Sequence, residues 1–226
     1  MFLFNINKGY IMKKVLIDYI DRNKKTFIIL ISFFIIGIFV GVTLLNNLSS
    51  NLKQEVDSYI ESVITLLKEN NEINMFEMFL ISIKENILFI LLIWFLGLTI
   101  IGGYFIYLTV LYKGFLLGYT AAAFIATLGI KTGTLVIIVS LLMQNVVFIP
   151  AMLLISENGI KLCKGIHKTC LNLKEEFIRH NIIMLITIML ILIASFIEVY
   201  FSMNLLIFFK EIIWKDFTFL KIFDIT

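Results

Sequence analysis

From Thr26 to Leu45 the chain runs for 20 residues without a charge. As a helix rising about 1.5 Å per residue, that run spans the roughly 30 Å hydrocarbon layer of a bilayer. A soluble core does not absorb many such runs, and here 60% of 226 residues are hydrophobic, the mean hydropathy is +1.00 and one proline occurs. The sequence therefore predicts an all-α integral membrane protein. A cleaved signal peptide fits poorly, since the run is too long and no small-x-small site precedes Asn46 and Asn47.

In such a chain the distribution of Lys and Arg among the loops carries more information than the net charge of +3. Residues 1–25 hold Lys8, Lys13, Lys14, Arg22, Lys24 and Lys25 against Asp18 and Asp21, which predicts a cytoplasmic flank. Met12-Lys13-Lys14 reads as a more ordinary start than the residues before it, so translation is expected to begin at Met12. Residues 46–86 are acidic, with Glu55, Asp57, Glu61, Glu69, Glu72, Glu77 and Glu85 against three lysines, and are expected outside. Within them Leu52, Val56, Tyr59, Ile60, Val63, Ile64 and Leu67 recur at helical spacing and predict an amphipathic helix. That face is expected to pack on the bundle or lie in the interface, and Val56, Ile60 and Val63 mark it as the candidate partner face. A second short helix should start at Asn74, with Glu77 placed for a capping box.

The stretch from Ile87 to Pro150 is the expected interior of a helix bundle, because polar and helix-breaking residues at membrane depth must face protein or a cavity. Residues 87–112 form the expected second span, longer than the bilayer needs and free to bend at Gly97, Gly102 or Gly103, and it ends at Tyr112-Lys113-Gly114. Residues 114–130 offer a small-residue face of Gly114, Gly118 and three alanines, and Gly37 with Gly41 forms a similar pair in span one. Whether 114–130 crosses or re-enters decides the side of residues 157–180. That segment holds Lys161, Lys164, Lys168, Lys174 and Arg179, and basic loops stay inside, so a crossing is expected. Residues 134–156 are then span four, with Gln144 and Asn145 near its centre as inter-helix glue or as a substrate or ion site, and with Pro150 removing a backbone hydrogen bond. Residues 181–203 are span five, with Glu198 near its outer end and free to snorkel. Residues 204–226 read as an amphipathic interfacial helix outside. The expected fold has five transmembrane helices, near 26–45, 87–112, 114–130, 134–156 and 181–203. Extracytoplasmic amphipathic helices follow span one and close the C-terminus.

Chemistry-bearing constellations are sparse. Cys163, His167 and Cys170 share a helix face at i, i+4 and i+7, but two thiols and one imidazole do not complete a closed zinc site, and the segment reads as a solvated basic helix in a reducing compartment. No glycine-rich phosphate loop, Ser-His-Asp set or pair of catalytic acids is present, so no enzyme, cofactor or metal is expected, nor any nucleic-acid partner. The expected partners are membrane lipid and a second copy of the chain as a homo-oligomer.

Trp94-x-x-Gly97, Gly102, the run Lys113-Gly114-x-x-x-Gly118-Tyr119-Thr120 and the run Gln144-Asn145-x-x-x-x-Pro150-Ala151 resemble, in this order, the stage II sporulation protein M family. The resemblance extends over about residues 12–203. Gly103 and Met143 stand where the family's pattern has proline. The resemblance implies five spans and a non-enzymatic role in endospore engulfment at the septal membrane. It also implies association with the stage II sporulation proteins D and P, which degrade peptidoglycan. A small-solute transporter or channel is the alternative.

Overall fold

The computed structural model describes residues 2–68, 74–167, 173–209 and 213–215, with residues 2–22, 66–68 and 167 as backbone alone. Among the described residues the long apolar and amphipathic runs form helices: α1 is Phe2–Asn46, α2 Ser50–Lys68, α3 Met75–Gly97, α4 Gly102–Val136, α5 Met143–His167 and α6 Leu173–Phe196. A π-helical turn, Ile137–Leu142, joins α4 to α5, and a second, Ile197–Ser202, extends α6. No strand occurs among the described residues. Four stretches are long and apolar enough to cross a membrane: Asn23–Asn46, Met75–Gly97, Gly102–Ile166 and Leu173–Phe209.

The third of these is 65 residues long and is divided at Gly129. Its φ of 74° and ψ of 168° belong to a region open almost only to glycine, and they break the helix. The chain folds back there: a Cβ at Gly133 would lie 2.7 Å from the carbonyl oxygen of Phe124. Residues 102–128 thus make one arm about 40 Å long, and residues from 130 onward make the other.

These boundaries correct the sequence reading at several points. The expected short helix at Asn74 and the apolar run after it are one helix, α3, and Asn74 does cap it, its side chain accepting from the Glu77 N–H at 3.3 Å. The expected bend near Gly97, Gly102 and Gly103 is a full turn at residues 98–101, where a Cβ on Gly102 would lie 1.7 Å from the Leu96 carbonyl oxygen. Lys113-Gly114, read as a helix end, lies well inside α4. Pro150 sits on the exposed side of α5, which continues past it to His167, into the segment read as a loop.

Two buried clusters organise the molecule. One, around Leu30, Phe34, Ile90, Ile93, Ile106, Phe148, Met152 and Ile191, holds the helices together through the middle. The other lies at the end where α1 meets α2 and α4 turns at Gly129, and joins Leu45, Ile60, Ile64, Leu128, Leu206 and Ile213. Ile60 and Ile64 are buried here, as the amphipathic pattern of α2 requires, while Tyr59 stays 71% exposed. The outward faces of α1, α3 and α6 carry exposed isoleucine, leucine and phenylalanine, as lipid-facing surfaces do. Of the C-terminal segment, 204–209 and 213–215 are described, with Leu206 and Ile213 buried; its remainder lies outside the described residues.

Candidate functional site

The tightest contact in the bundle is glycine on both sides. α1 packs along α4 in the same direction, Gly37 against Leu111 and Gly41 against Phe115, while Gly114 meets Phe34 and Gly118 meets Ile38. A Cβ at any of the four would stand 2.1 or 2.2 Å from a carbonyl oxygen of the other helix. Two small-xxx-small pairs therefore interlock, and the pair in α1 is consumed within the chain.

Next to this seam, at the depth of the apolar helices, lies a polar cluster. Ser82 of α3 donates its hydroxyl to the carboxylate of Glu198. Asn86, one turn along α3, reaches Ser82 at 3.3 Å and Ser195 of α6 at 3.4 Å. Ser82, Asn86 and Ser195 are all buried. From α4 the Lys113 ammonium lies 4.4 Å from the centroid of Phe148 and 5.4 Å from that of Phe89. Glu198 is thus turned into the bundle, where the sequence reading had it snorkel outward. Glu198 lies in the π-helical turn Ile197–Ser202, and its hydrogen-bond partner Ser82 on α3 is 116 residues away in sequence.

Gln144 and Asn145 begin α5, directly after the other π-helical turn. Asn145 is buried and donates to the carbonyl of Leu141, 2.6 Å away on its own chain, in place of the expected bond to another helix. Its Oδ1 and the hydroxyl of Ser202 are buried with no hydrogen bond among the described residues.

The segment read as a solvated basic loop holds three polar residues with no exposed surface, Glu157, Asn158 and His180, and Ser156 just before it is equally buried. Arg179 Nε donates to Asn158 Oδ1 at 3.1 Å, which orients that amide so that its Nδ2 donates to His180 Nδ1 at 2.9 Å. His180 Nε2 then carries the hydrogen and donates to the Trp94 carbonyl at 3.2 Å. The Trp94 and His180 rings are parallel within 3°, and Gly97 and Gly159 let α3 and α5 close beneath them. Glu157 pairs with Lys161 at 3.1 Å. Cys163 is buried beside the carbonyls of Leu96 and Gly97, away from any group of metal ligands among the described residues; Cys170 and the His167 side chain lie outside them.

At the opposite end α2 rests on α4, fastened by Ile60 and Ile64 and by the Thr127 hydroxyl donating to Asp57. Ile60, predicted as part of a partner face, is covered by the chain itself; what stays open is a groove of about 290 Å³ lined by Glu55, Val56, Tyr59, Val63, Tyr119 and Phe124 among others. Sequence reasoning missed the serines and Asn86 of the membrane-depth cluster, although Ser82 and Asn86 at i, i+4 in an otherwise apolar helix are a visible signal.

In comparison with known proteins, residues 30–203 match a family model described as stage II sporulation protein M. No curated protein and no solved structure matches the chain.

Proposed function

Since the chain belongs to the stage II sporulation protein M family, we propose that it is a non-enzymatic membrane scaffold of the engulfment complex. On this reading it holds peptidoglycan-degrading partners, the stage II sporulation proteins D and P, at the septal membrane. The arms on either side of Gly129 serve as separate spans, giving five crossings with the N-terminus and the basic end of α5 inside, and α2 with the C-terminal segment outside. The single observation that supports a scaffold is the fastening of α2: an amphipathic helix whose apolar face is spent on the bundle still presents Glu55, Tyr59 and a groove to the side where peptidoglycan lies. Such a fixed platform binds a partner at little ordering cost.

The test is affinity capture from sporulating cells with Glu55→Lys and Tyr59→Ala, which alter the groove and leave Ile60 and Ile64 in place. Wall hydrolases should be recovered with the unaltered protein and depleted with the variants. Normal engulfment after deletion of the protein, with no wall enzyme captured, would overturn the scaffold. The second reading, a small-solute transporter or channel, draws support from Lys113 and Glu198, because ionisable groups inside a membrane bundle commonly line an ion or substrate path.

A further inference from the structure

At the end of the bundle where α3 turns into α4, a groove of about 370 Å³ opens between α4 and α5. Gly103, Tyr104 and Tyr107 of α4 line it together with Ile160, Cys163 and Lys164 of α5. Gly103 differs from the other glycines of this end. Gly97 and Gly102 are forced by neighbours within 2.8 and 1.7 Å of a would-be Cβ, whereas a Cβ at Gly103 would meet only Cys163, at 3.7 Å. No close packing calls for glycine at this position. What its missing side chain leaves is the groove.

The mouth and the walls differ in chemistry. Ile101 and Tyr104 are 64% and 78% exposed and make the mouth of the groove largely apolar. Lys164 is exposed and makes no hydrogen bond or ion pair among the described residues, while Lys161, one turn back, is engaged with Glu157. A free ammonium at the rim of an apolar slot, at the level where the helices turn and tyrosine hydroxyls sit, suits an amphiphile with an anionic head and a hydrocarbon tail. We propose that this groove is a binding site for one anionic phospholipid, its phosphate on Lys164 and an acyl chain along Tyr104, Tyr107 and Ile160 over Gly103. The proposal needs the membrane location and is independent of the scaffold.

The test uses the full chain purified in detergent, with phosphatidylglycerol or phosphatidylcholine added and bound lipid read by native mass spectrometry. One phosphatidylglycerol should be retained over phosphatidylcholine by roughly fivefold, the equivalent of about 1 kcal/mol for one lysine near a headgroup. Lys164→Gln should bring the two lipids to parity without moving the thermal midpoint of the lipid-free protein. Gly103→Leu should abolish retention of both lipids, and Gly103→Ala, whose Cβ fits at ordinary contact distance, should keep the lipid preference. Free glycerol phosphate should neither bind nor stabilise. Equal retention of both lipids by the unaltered protein, an unchanged preference in Lys164→Gln, or stabilisation by glycerol phosphate equal to that by phosphatidylglycerol would each overturn the site.

Discussion

Gly118 of α4 lies so close to Ile38 of α1 that a Cβ on it would stand 2.2 Å from the Ile38 carbonyl oxygen. Because the obstacle is backbone, no rotamer change relieves it, and the two helices must part. Gly118→Ala should lower the thermal midpoint in detergent, and Gly118→Val should lower it further, by about 1–3 kcal/mol in unfolding free energy or more. Gly103→Ala, free of such a clash, should be neutral or slightly stabilising. A Gly118→Val protein as stable as the unaltered one would show that α1 and α4 do not pack through these glycines.

Gly129 makes a different demand, conformational rather than steric. At φ 74° and ψ 168° an L side chain is strained, so Gly129→Ala should cost about 1–3 kcal/mol. The loss should come with increased protease cleavage near residues 129–133, since the turn itself is what weakens. Measuring midpoint and cleavage site together separates this from damage elsewhere.

The buried chain from Arg179 through Asn158 and His180 to the Trp94 carbonyl yields a third expectation. Asn158→Leu leaves His180 Nδ1, fully buried, without its donor, at a cost of about 1–3 kcal/mol, while Arg179 Nε, partly exposed and still paired with Glu176, loses its acceptor at smaller cost. Asn158→Asp keeps an acceptor for Arg179 but cannot donate to Nδ1 when ionised, and should fall between. Thermal unfolding of the two variants beside the unaltered protein ranks them.

How much of this was readable beforehand depended on whether a residue's partner lay nearby in sequence. The apolar runs, the N-cap at Asn74, the amphipathic face of α2 and the small residues at Gly37, Gly41, Gly114 and Gly118 are local signals, and the structure uses them all. Tyr112-Lys113-Gly114 reads as a helix end, and nothing local reveals that Phe148 and Phe89 take up the Lys113 ammonium inside α4. The same blindness made Glu157, Asn158 and His180 look solvated: their burial depends on Gly97 and Gly159, which meet across a gap of some sixty residues. Asn145 erred the other way, since a long-range bond was expected and the carbonyl of Leu141, one turn away, satisfies it.

Burial also changes how topology is to be measured. Cys163 faces the Leu96 and Gly97 carbonyls and should resist maleimide in lysed as well as intact protoplasts, reacting once the protein is denatured. Cysteines placed at exposed positions, in a chain with Cys163 and Cys170 changed to serine, report in its stead. Ser62→Cys on α2 should react with an impermeant maleimide in intact protoplasts, and Lys164→Cys only after lysis. The reverse pattern would invert the proposed orientation, and reaction of both from outside would remove a crossing.

Lys113 and Glu198 are either glue between helices or part of a path through the membrane, and their variants tell the two apart. Lys113 of α4 holds its ammonium over Phe148 and Phe89, while Ser82 of α3 donates to the carboxylate of Glu198 in the extension of α6, so charges of opposite sign enter the bundle from neighbouring helices. If the cluster is structural, Lys113→Gln removes the ammonium held over Phe148 and Phe89 and destabilises the bundle. Glu198→Gln should do so less, because the neutral amide still accepts from Ser82 and the aromatic rings still hold the ammonium. In the double variant both charges are gone, and its loss of stability should be smaller than the sum of the single losses by about 1 kcal/mol, the coupling expected of neighbouring groups. Additive losses would mean that the two charges do not act on one another. The same variants assayed in proteoliposomes decide the rest: ion or solute flux present in the unaltered protein and abolished by Glu198→Gln, at unchanged stability, would replace the scaffold by a transporter. No flux, with a coupled loss of stability, assigns the cluster to holding α3, α4 and α6 in register.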